Sequence, residues 1–294
     1  DHDGTWRLVS RDEVLGLHTV DTTLPQVPVG GEQVVLLPGG RLCTIDPDAG
    51  TSATAAHIDV AFALLHGSHG EDGTIQGHFE MAGIRYVGAG VACSALGMDK
   101  ALMKQAFAEK GIMQGPWQLV TEIDWLHRRD ETLSRLESLE LPLFVKPARA
   151  GSSIGISKVT ERCELVAAID EARRHDPRVV VEQGLEGARE IECAVLAGRD
   201  GAAPRVSVVG EVRMLNDGFY DFEAKYTPGD QVALDIPAHV DAALAERIQK
   251  TAAHAFESLC GEGLSRVDTF VTPEGQVLVN EINTMPGFTQ HSMY

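Results

Sequence analysis

The chain is 294 residues long, 44% hydrophobic but only 5% aromatic, and carries a net charge of -18. So acidic a chain lacks the basic footprint that nucleic acid or an anionic membrane surface requires, and any anionic substrate must be held by a few local basic residues. No apolar run reaches the roughly 18 residues of a membrane span and no signal peptide is visible, so a cytoplasmic protein is expected. Five cysteines, Cys43, Cys93, Cys163, Cys193 and Cys260, stand far apart with no C-x-x-C pair. They read as buried small hydrophobes rather than as a zinc ribbon or a disulfide framework.

In chain order, Gln33 to Leu37 and Val60 to Leu65 read as short strands. The second runs into His66-Gly67-Ser68-His69-Gly70-Glu71-Asp72-Gly73, and a helix-like segment follows from Thr74 to Ala82. Strand, glycine-rich loop and helix in that order form the β-loop-α unit of a doubly wound α/β domain, where ligands sit at the carboxyl ends of strands. A second region opens at Met98-Asp99-Lys100 with a helix to about Lys110, closed by Gly111. Asp124 to Glu140 is a charged helical stretch whose charges read as a solvated face. Leu143-Phe144-Val145-Lys146-Pro147 is a short strand with a lysine near its end.

The loop after it, Pro147-Ala148-Arg149-Ala150-Gly151-Ser152-Ser153-Ile154-Gly155, is rich in small residues. Its glycines let backbone N–H groups approach an anion, and its serines add donors. The lysine precedes the glycines and no G-K-[ST] occurs, so a lid over nucleotide phosphates fits better than a Walker A loop.

From Val179 the chain is strand-rich. Leu264 to Phe270 and Val277 to Asn283 alternate apolar with polar residues, and Thr272-Pro273-Glu274-Gly275 between them reads as a hairpin turn. With Glu274 and Gly275 as the two central turn residues, Asp268 falls opposite Glu281 and Arg266 opposite Asn283, all on one face. Two carboxylates this close repel unless a cation lies between them, and oxygen-only ligands favour a hard ion such as Mg²⁺. A magnesium-phosphate site is therefore expected here.

The motifs His66-Gly-x-x-Gly-Glu-Asp-Gly, Met98-Asp-Lys100, Phe144-Val-Lys-Pro-Ala-Arg-x-Gly-Ser-Ser-x-Gly155, Phe219-Tyr-Asp-Phe-Glu-Ala-Lys-Tyr226, Arg266-Val-Asp268 and Asn280-Glu-Ile-Asn-Thr-Met-Pro-Gly-Phe-Thr289 resemble those of the D-alanine-D-alanine ligases of the ATP-grasp superfamily. The match runs in the family's order along nearly the whole chain. It implies a three-domain ATP-grasp fold of the α/β class, divided at 1–97, 98–180 and 181–294. It implies ATP-dependent joining of two D-alanines for peptidoglycan synthesis: one D-alanine carboxylate is phosphorylated, and the amine of the second attacks the acyl phosphate.

The resemblance also implies roles. Lys100 and Lys146 would neutralise nucleotide phosphates as point cations, with Ser153 and Lys225 beside them. Glu182, Gln183 and Leu185 would form the adenine-binding linker. Glu190 would hold the ribose, with Glu186 competing for that role, and Phe219 and Asn280 would complete the nucleotide site. Asp268, Glu281 and Asn283 would ligate two Mg²⁺ ions, for which Mn²⁺ could substitute. Arg266 and the Gly287 N–H would stabilise the oxyanion, and His66, Ser292 and Met293 would bind substrate. Tyr226 would close over Ser152 and the first D-alanine. No histidine stands between Asn216 and Pro237, unlike the depsipeptide-forming relatives, so D-alanine is expected as second substrate.

A homodimer is expected, with no nucleic acid or membrane partner. Against the resemblance, Asp1 to Trp6 reads as a later turn of the N-terminal domain, as though the first β-α-β unit were missing, and the family pattern implies a further helix after Tyr294, so unresolved or removed ends are expected. Three alternatives remain in this reading: a D-alanine-D-lactate or D-alanine-D-serine ligase, an ATP-grasp ligase for another carboxylate, and a catalytically silent nucleotide-binding protein. The last would be expected to lose a metal ligand or Arg266, and all are retained.

Overall fold

A computed structural model of the chain describes residues 4–17, 30–151, 154–214, 232–288 and 292–294. Strands β1 (Trp6–Arg7), β2 (Gln33–Leu37), β3 (Arg41–Asp46) and β4 (Thr51–His57) pair antiparallel in that order. Helix α1 (Arg11–Leu15), with Ser10 as its cap, lies between the first two in sequence. The doubly wound pattern expected for this region does not extend to these strands. Pro38-Gly39-Gly40 is too short for a parallel crossover, and the positive φ of Gly39 (78°) and Gly40 (74°) suits a tight reversal.

The pattern does hold for the next unit, in which β5 (Val60–Phe62), α2 (Thr74–Ala82) and β6 (Arg85–Val87) form a parallel β-α-β pair. β5 ends at Phe62 rather than at Leu65 because its ladder on β6 stops at Val87. Helices α3 (Val91–Met98) and α4 (Lys100–Glu109) follow. Asp99 caps α4 by accepting from the N–H groups of Ala101 and Leu102, both at 3.1 Å. At the other end the Ile112 and Gly111 N–H groups donate to the Phe107 and Ala108 carbonyls, and Gly111 takes the left-handed φ of 69° that this termination needs.

A four-stranded antiparallel sheet comes next. It contains β7 (Trp117–Val120), β8 (Leu143–Pro147), β9 (Ser157–Val159) and β10 (Val179–Gln183) in the order β7-β10-β8-β9. The charged stretch between β7 and β8 is two helices, α5 (Glu122–His127) and α6 (Arg129–Leu136), broken at Arg128. Its charges cover only one side, since Trp125, Leu136 and Leu139 are buried. Those residues pack with Leu143, Val145, Val179, Val181 and helix α7 (Leu165–Ala172) on one face of the sheet. Val180 points to the other face, against Ala101 of α4 and Ala148. That alternation sends Glu182 toward α4 and Gln183 away from it.

The last sheet has six strands: β11 (Arg189–Leu196), β12 (Arg205–Val206), β13 (Gly210–Met214), β14 (Val232–Asp235), β15 (Leu264–Val271) and β16 (Val277–Asn283). Their order is β14-β13-β11-β15-β16, with β12 alongside β11. Helix α8 (Ala242–Ser258) covers one face, where its Ile248, Ala252, Ala255 and Phe256 join Ile191, Cys193, Val267, Val279 and Ile282 in one core. Burying each large side chain there contributes about 1.5–3 kcal/mol. The opposite face carries the polar residues.

Candidate active site

The polar face is set by strand register. Glu192 of β11 lies opposite Asp268 of β15, which lies opposite Glu281 of β16, so three carboxylates form one row across the sheet. In the next row Ala194, Arg266 and Asn283 face one another. Asp268 and Glu281 thus pair as the sequence predicts, but not for the expected reason. The turn is a three-residue loop: the Gly275 N–H donates to the Thr272 carbonyl (2.8 Å), the Thr272 N–H to the Gln276 carbonyl (3.0 Å), and Gly275 has φ 80°. That loop alone would set Asp268 opposite Asn280. A bulge between Val279 and Glu281 absorbs Asn280 and restores the pairing, so Val279 faces the core while Glu281 faces the polar side.

The acidic groups of this face are held by one guanidinium, one amide and one ammonium. Arg266 Nε and Nη2 donate to the two oxygens of Asp268, each at 2.7 Å, and Nε also lies 2.9 Å from Glu192 Oε2. Asn283 Nδ2 donates to Asp268 Oδ2 at 2.9 Å. Burial works against the Arg266 charge, but Asp268 and Glu192 outweigh it and raise its pKa well above the ordinary value. Lys100, from the start of α4, brings Nζ to 3.1 Å from Glu281 Oε2 and 3.4 Å from the Ala150 carbonyl. Burial lowers the Lys100 pKa and Glu281 more than reverses it.

Beyond Lys100 lies a second cluster. Glu182 Oε1 is 3.0 Å from Lys104 Nζ and Oε2 is 2.5 Å from Lys146 Nζ. Burial would raise the Glu182 carboxyl, yet the two ammoniums hold it down at about 2. Lys104 itself has its pKa lowered by burial, only partly offset by Glu182.

The glycine-rich loop after β5 reaches the end of the hairpin. His66 Nδ1 is 3.0 Å from the Met285 carbonyl oxygen. Glu71 accepts from the Gly67 N–H at 2.6 Å and from the Met285 N–H at 3.4 Å. Burial raises the Glu71 pKa beyond what those donors and His66 lower it. A Cβ placed on Gly151 would lie 3.9 Å from Gly67 Cα, so this loop and the small-residue loop adjoin. A Cβ on Gly287 would lie 3.8 Å from Ser292 Cβ, while one on Gly210 would strike Met293 Sδ at 2.6 Å, which sets Met293 against β13.

Family models for the D-ala D-ala ligase N-terminus and C-terminus match residues 26–89 and 106–294. The chain belongs to the D-alanine-D-alanine ligase family. A D-alanine-D-alanine ligase of Paenarthrobacter aurescens is 48% identical over 296 residues, covering 99% of this chain and 78% of that protein. The structure also matches the VanG D-Ala:D-Ser ligase of Enterococcus faecalis at 39% identity, with a TM-score of 0.73, over 86% of this chain and 73% of that one. D-alanyl-alanine synthetase A of Vibrio cholerae matches at 32% identity and a TM-score of 0.76, over 90% and 76% of the two chains. The α/β ATP-grasp fold read from the motifs is thereby shown, and the chain is that of an ATP-dependent ligase.

Within this ligase fold, Lys100, Glu281, Asn283, Asp268 and Arg266 come together, and Lys146 and Glu182 pair nearby. Glu190 lies on the polar face two residues before Glu192, whereas Glu186 is exposed in the turn before β11. Gln183 does not bring its side chain to the site. Its Oε1 accepts from the Glu140 N–H at 3.0 Å on the far side of the sheet. Leu185 packs toward Gly115. Ser152, Ser153, Phe219, Lys225 and Tyr226 lie outside the described residues.

Three residues absent from the sequence-derived site stand within it: Lys104, Glu192 and Glu71. Lys104 had a signal, because Lys100, Met103, Lys104 and Phe107 follow the i, i+3, i+4, i+7 stripe of a helix face that packs inward. Glu192 alternates with Ile191 and Cys193, but only the distant pairing of β11 with β15 reveals its neighbour. Among the described residues no group of three His, Cys, Asp or Glu side chains is arranged to hold a metal ion. Guanidinium and amide engage Asp268 and an ammonium engages Glu281. These donors are nevertheless oxygens in adjacent rows of one sheet face, which suits a hard divalent ion.

Proposed function

We propose that this protein joins two D-alanines into D-alanyl-D-alanine at the expense of ATP, for peptidoglycan synthesis. The observation that carries this reading is the contact of Lys100 with Glu281, where a lysine-rich cluster meets a carboxylate-rich sheet face. A polyphosphate with its divalent ion matches both sides, one by anion and the other by cation. The 48% identity to a D-alanine-D-alanine ligase along 99% of the chain supports the choice of substrate.

In this reading Lys100, Lys146, Ser153 and Lys225 hold the nucleotide phosphates. Glu182, Leu185, Phe219 and Asn280 surround the nucleoside, and Gln183 contributes by its backbone alone. Glu190, rather than the turn residue Glu186, takes the ribose. Asp268, Glu281 and Asn283 would hold two Mg²⁺ ions, which when bound supply Lewis-acid stabilisation of the transferring phosphoryl group. A carboxylate oxygen of the first D-alanine attacks the γ-phosphorus and ADP departs, leaving an acyl phosphate. The amine of the second D-alanine then attacks the carbonyl carbon and loses a proton, and phosphate leaves with the original carboxylate oxygen. Arg266 and the Gly287 N–H stabilise the oxyanion of that addition. His66, Ser292 and Met293 hold substrate, and Tyr226 closes over the Ser152 region.

A cytoplasmic homodimer belongs to the same reading, as does a division near 97 and in the loop after Gln183. The pairing of β10 along its length with β7 and β8 supports a second division after Gln183 in place of the expected one at 180. A D-serine acceptor is the second reading, favoured by the 39% identity to a D-Ala:D-Ser ligase. Phosphate release is measured with D-alanine alone and then with D-serine or D-lactate added, with products identified by mass. D-alanyl-D-alanine should dominate at neutral pH. Phosphate release that ignores D-alanine would contradict the reading, and a mixed product would favour the second.

A further inference from the structure

Helix α4 turns two lysines inward one turn apart, and they differ in reach. The side chain of Lys104 is 4% exposed, against 12% for Lys100 and 13% for Lys146. Lys100 and Lys146 therefore keep some access to solvent, whereas Lys104 keeps almost none. A buried lysine is rare, and like charges at i and i+4 repel, so Lys104 needs a compensating contact. That contact is Glu182 Oε1 at 3.0 Å, while Lys146 takes Oε2 of the same carboxylate.

This sharing has a consequence once a nucleotide arrives, under the ligase reading on which the inference rests. Lys100 and Lys146 then turn to phosphate oxygens and leave Glu281 and Glu182. Glu281 lies among the proposed ligands of the incoming divalent ion. Glu182, with 12% of its side chain exposed, lies on a different sheet, and a carboxylate so shielded is disfavoured when deprived of its cation. We propose that Lys104 is a positioning residue, the fixed counter-ion of Glu182 that lets Lys146 leave that carboxylate for the nucleotide phosphates. Because the two ammoniums use separate oxygens, departure of Lys146 leaves the Lys104 bond intact. The capped start of α4 and its buried Met103 and Phe107 keep Lys104 in place.

Binding of ADP without metal, followed by calorimetry, tests this with Lys104→Met, Glu182→Gln and the double variant. Lys104→Met leaves Lys146 tied to Glu182, so ADP affinity should fall by about tenfold or more. In the Glu182→Gln background the same change should have little effect, because nothing then retains Lys146. Steady-state kinetics should show Lys104→Met raising the KM for ATP more than it lowers kcat. Unchanged ADP affinity in Lys104→Met, or an equal loss in both backgrounds, would overturn the proposal and make Lys104 a packing residue. Should Lys104→Met fail to fold, the double variant carries the test: its affinity should lie within about threefold of Glu182→Gln alone, and a gap of about tenfold would overturn the idea. Wild-type protein that binds no ADP would overturn the ligase reading and this inference together, whereas wild-type binding with an unaffected Lys104→Met variant overturns the inference alone.

Discussion

The sheet face of β11, β15 and β16 and the inner side of α4 with β8 and β10 use the same kinds of residue in opposite proportions. On the first, Glu192, Asp268 and Glu281 surround one guanidinium, Arg266. On the second, Lys100, Lys104 and Lys146 surround one carboxylate, Glu182. Each region alone carries an excess of one sign, which burial makes costly, and they touch through Lys100 and Glu281. The lesson is that local charge, not the net charge of -18, decides which ligand fits. The acidic side suits a divalent cation, and the basic side suits phosphate.

The sharpest way to break this comparison is to alter the lone cation of the acidic side. Arg266→Lys replaces a guanidinium held by Asp268 and Glu192 with a point charge that cannot make both contacts. Turnover should fall roughly 10²- to 10³-fold, since a preorganised oxyanion donor is lost. Calorimetry should show ATP affinity retained, and lost affinity with intact turnover at saturation would move Arg266 to the phosphate side. Next in size, Glu281→Gln and Asn283→Ala should each lower turnover by about a hundredfold while circular dichroism shows the fold intact. Near-normal turnover at saturating ATP and magnesium would remove the acidic side from metal binding.

Changes on the basic side should act on binding instead. Lys146→Met should weaken ADP binding by about tenfold with a smaller effect on kcat, because a phosphate counter-charge is lost. A fall in kcat alone would erase the distinction between the two regions. The smallest effect concerns stability. The Glu182 pKa is depressed from its ordinary 4.5 to about 2, so its stabilising contribution is complete above 4.5 and disappears as pH falls toward 2. Urea unfolding of wild type and Glu182→Gln should show a stability gap that narrows as pH is lowered from about 6 to 3. A gap that widens on acidification would mean that Glu182 is not held ionised by the lysines.

Local pattern made much of the fold legible. Gln33–Leu37, Thr74–Ala82 and Leu143–Pro147 have the limits that periodicity and turn residues indicate. The hairpin shows where such reading works by cancellation: the turn is one residue longer than supposed, and the Asn280 bulge compensates. A bulge depends on packing at both sheet faces, and alternation alone does not announce it. Arg266, Asp268, Glu281 and Asn283 were readable because they share one local hairpin. Glu192 was not, since its partners Asp268 and Arg266 are distant in sequence and meet it only through the pairing of β11 with β15. Lys104 is harder to read, because a lysine on a helix is ordinarily exposed and only its place on the inward stripe marks it. Short loops, not the apolar pattern, fix the antiparallel direction of β2, β3 and β4, and β1 joins β2 through a longer connection that contains α1.

The proposed chemistry is tested most directly by following an oxygen atom. With ATP, magnesium and D-alanine whose carboxylate carries oxygen-18, each turnover should transfer one labelled oxygen to the released phosphate, because the attacking carboxylate oxygen leaves with phosphorus when the amine displaces it. Dipeptide formed without label in the phosphate would rule out an acyl phosphate at this site, and labelled phosphate in the wild type with slow turnover in Arg266→Lys would join the acidic and basic regions in one reaction.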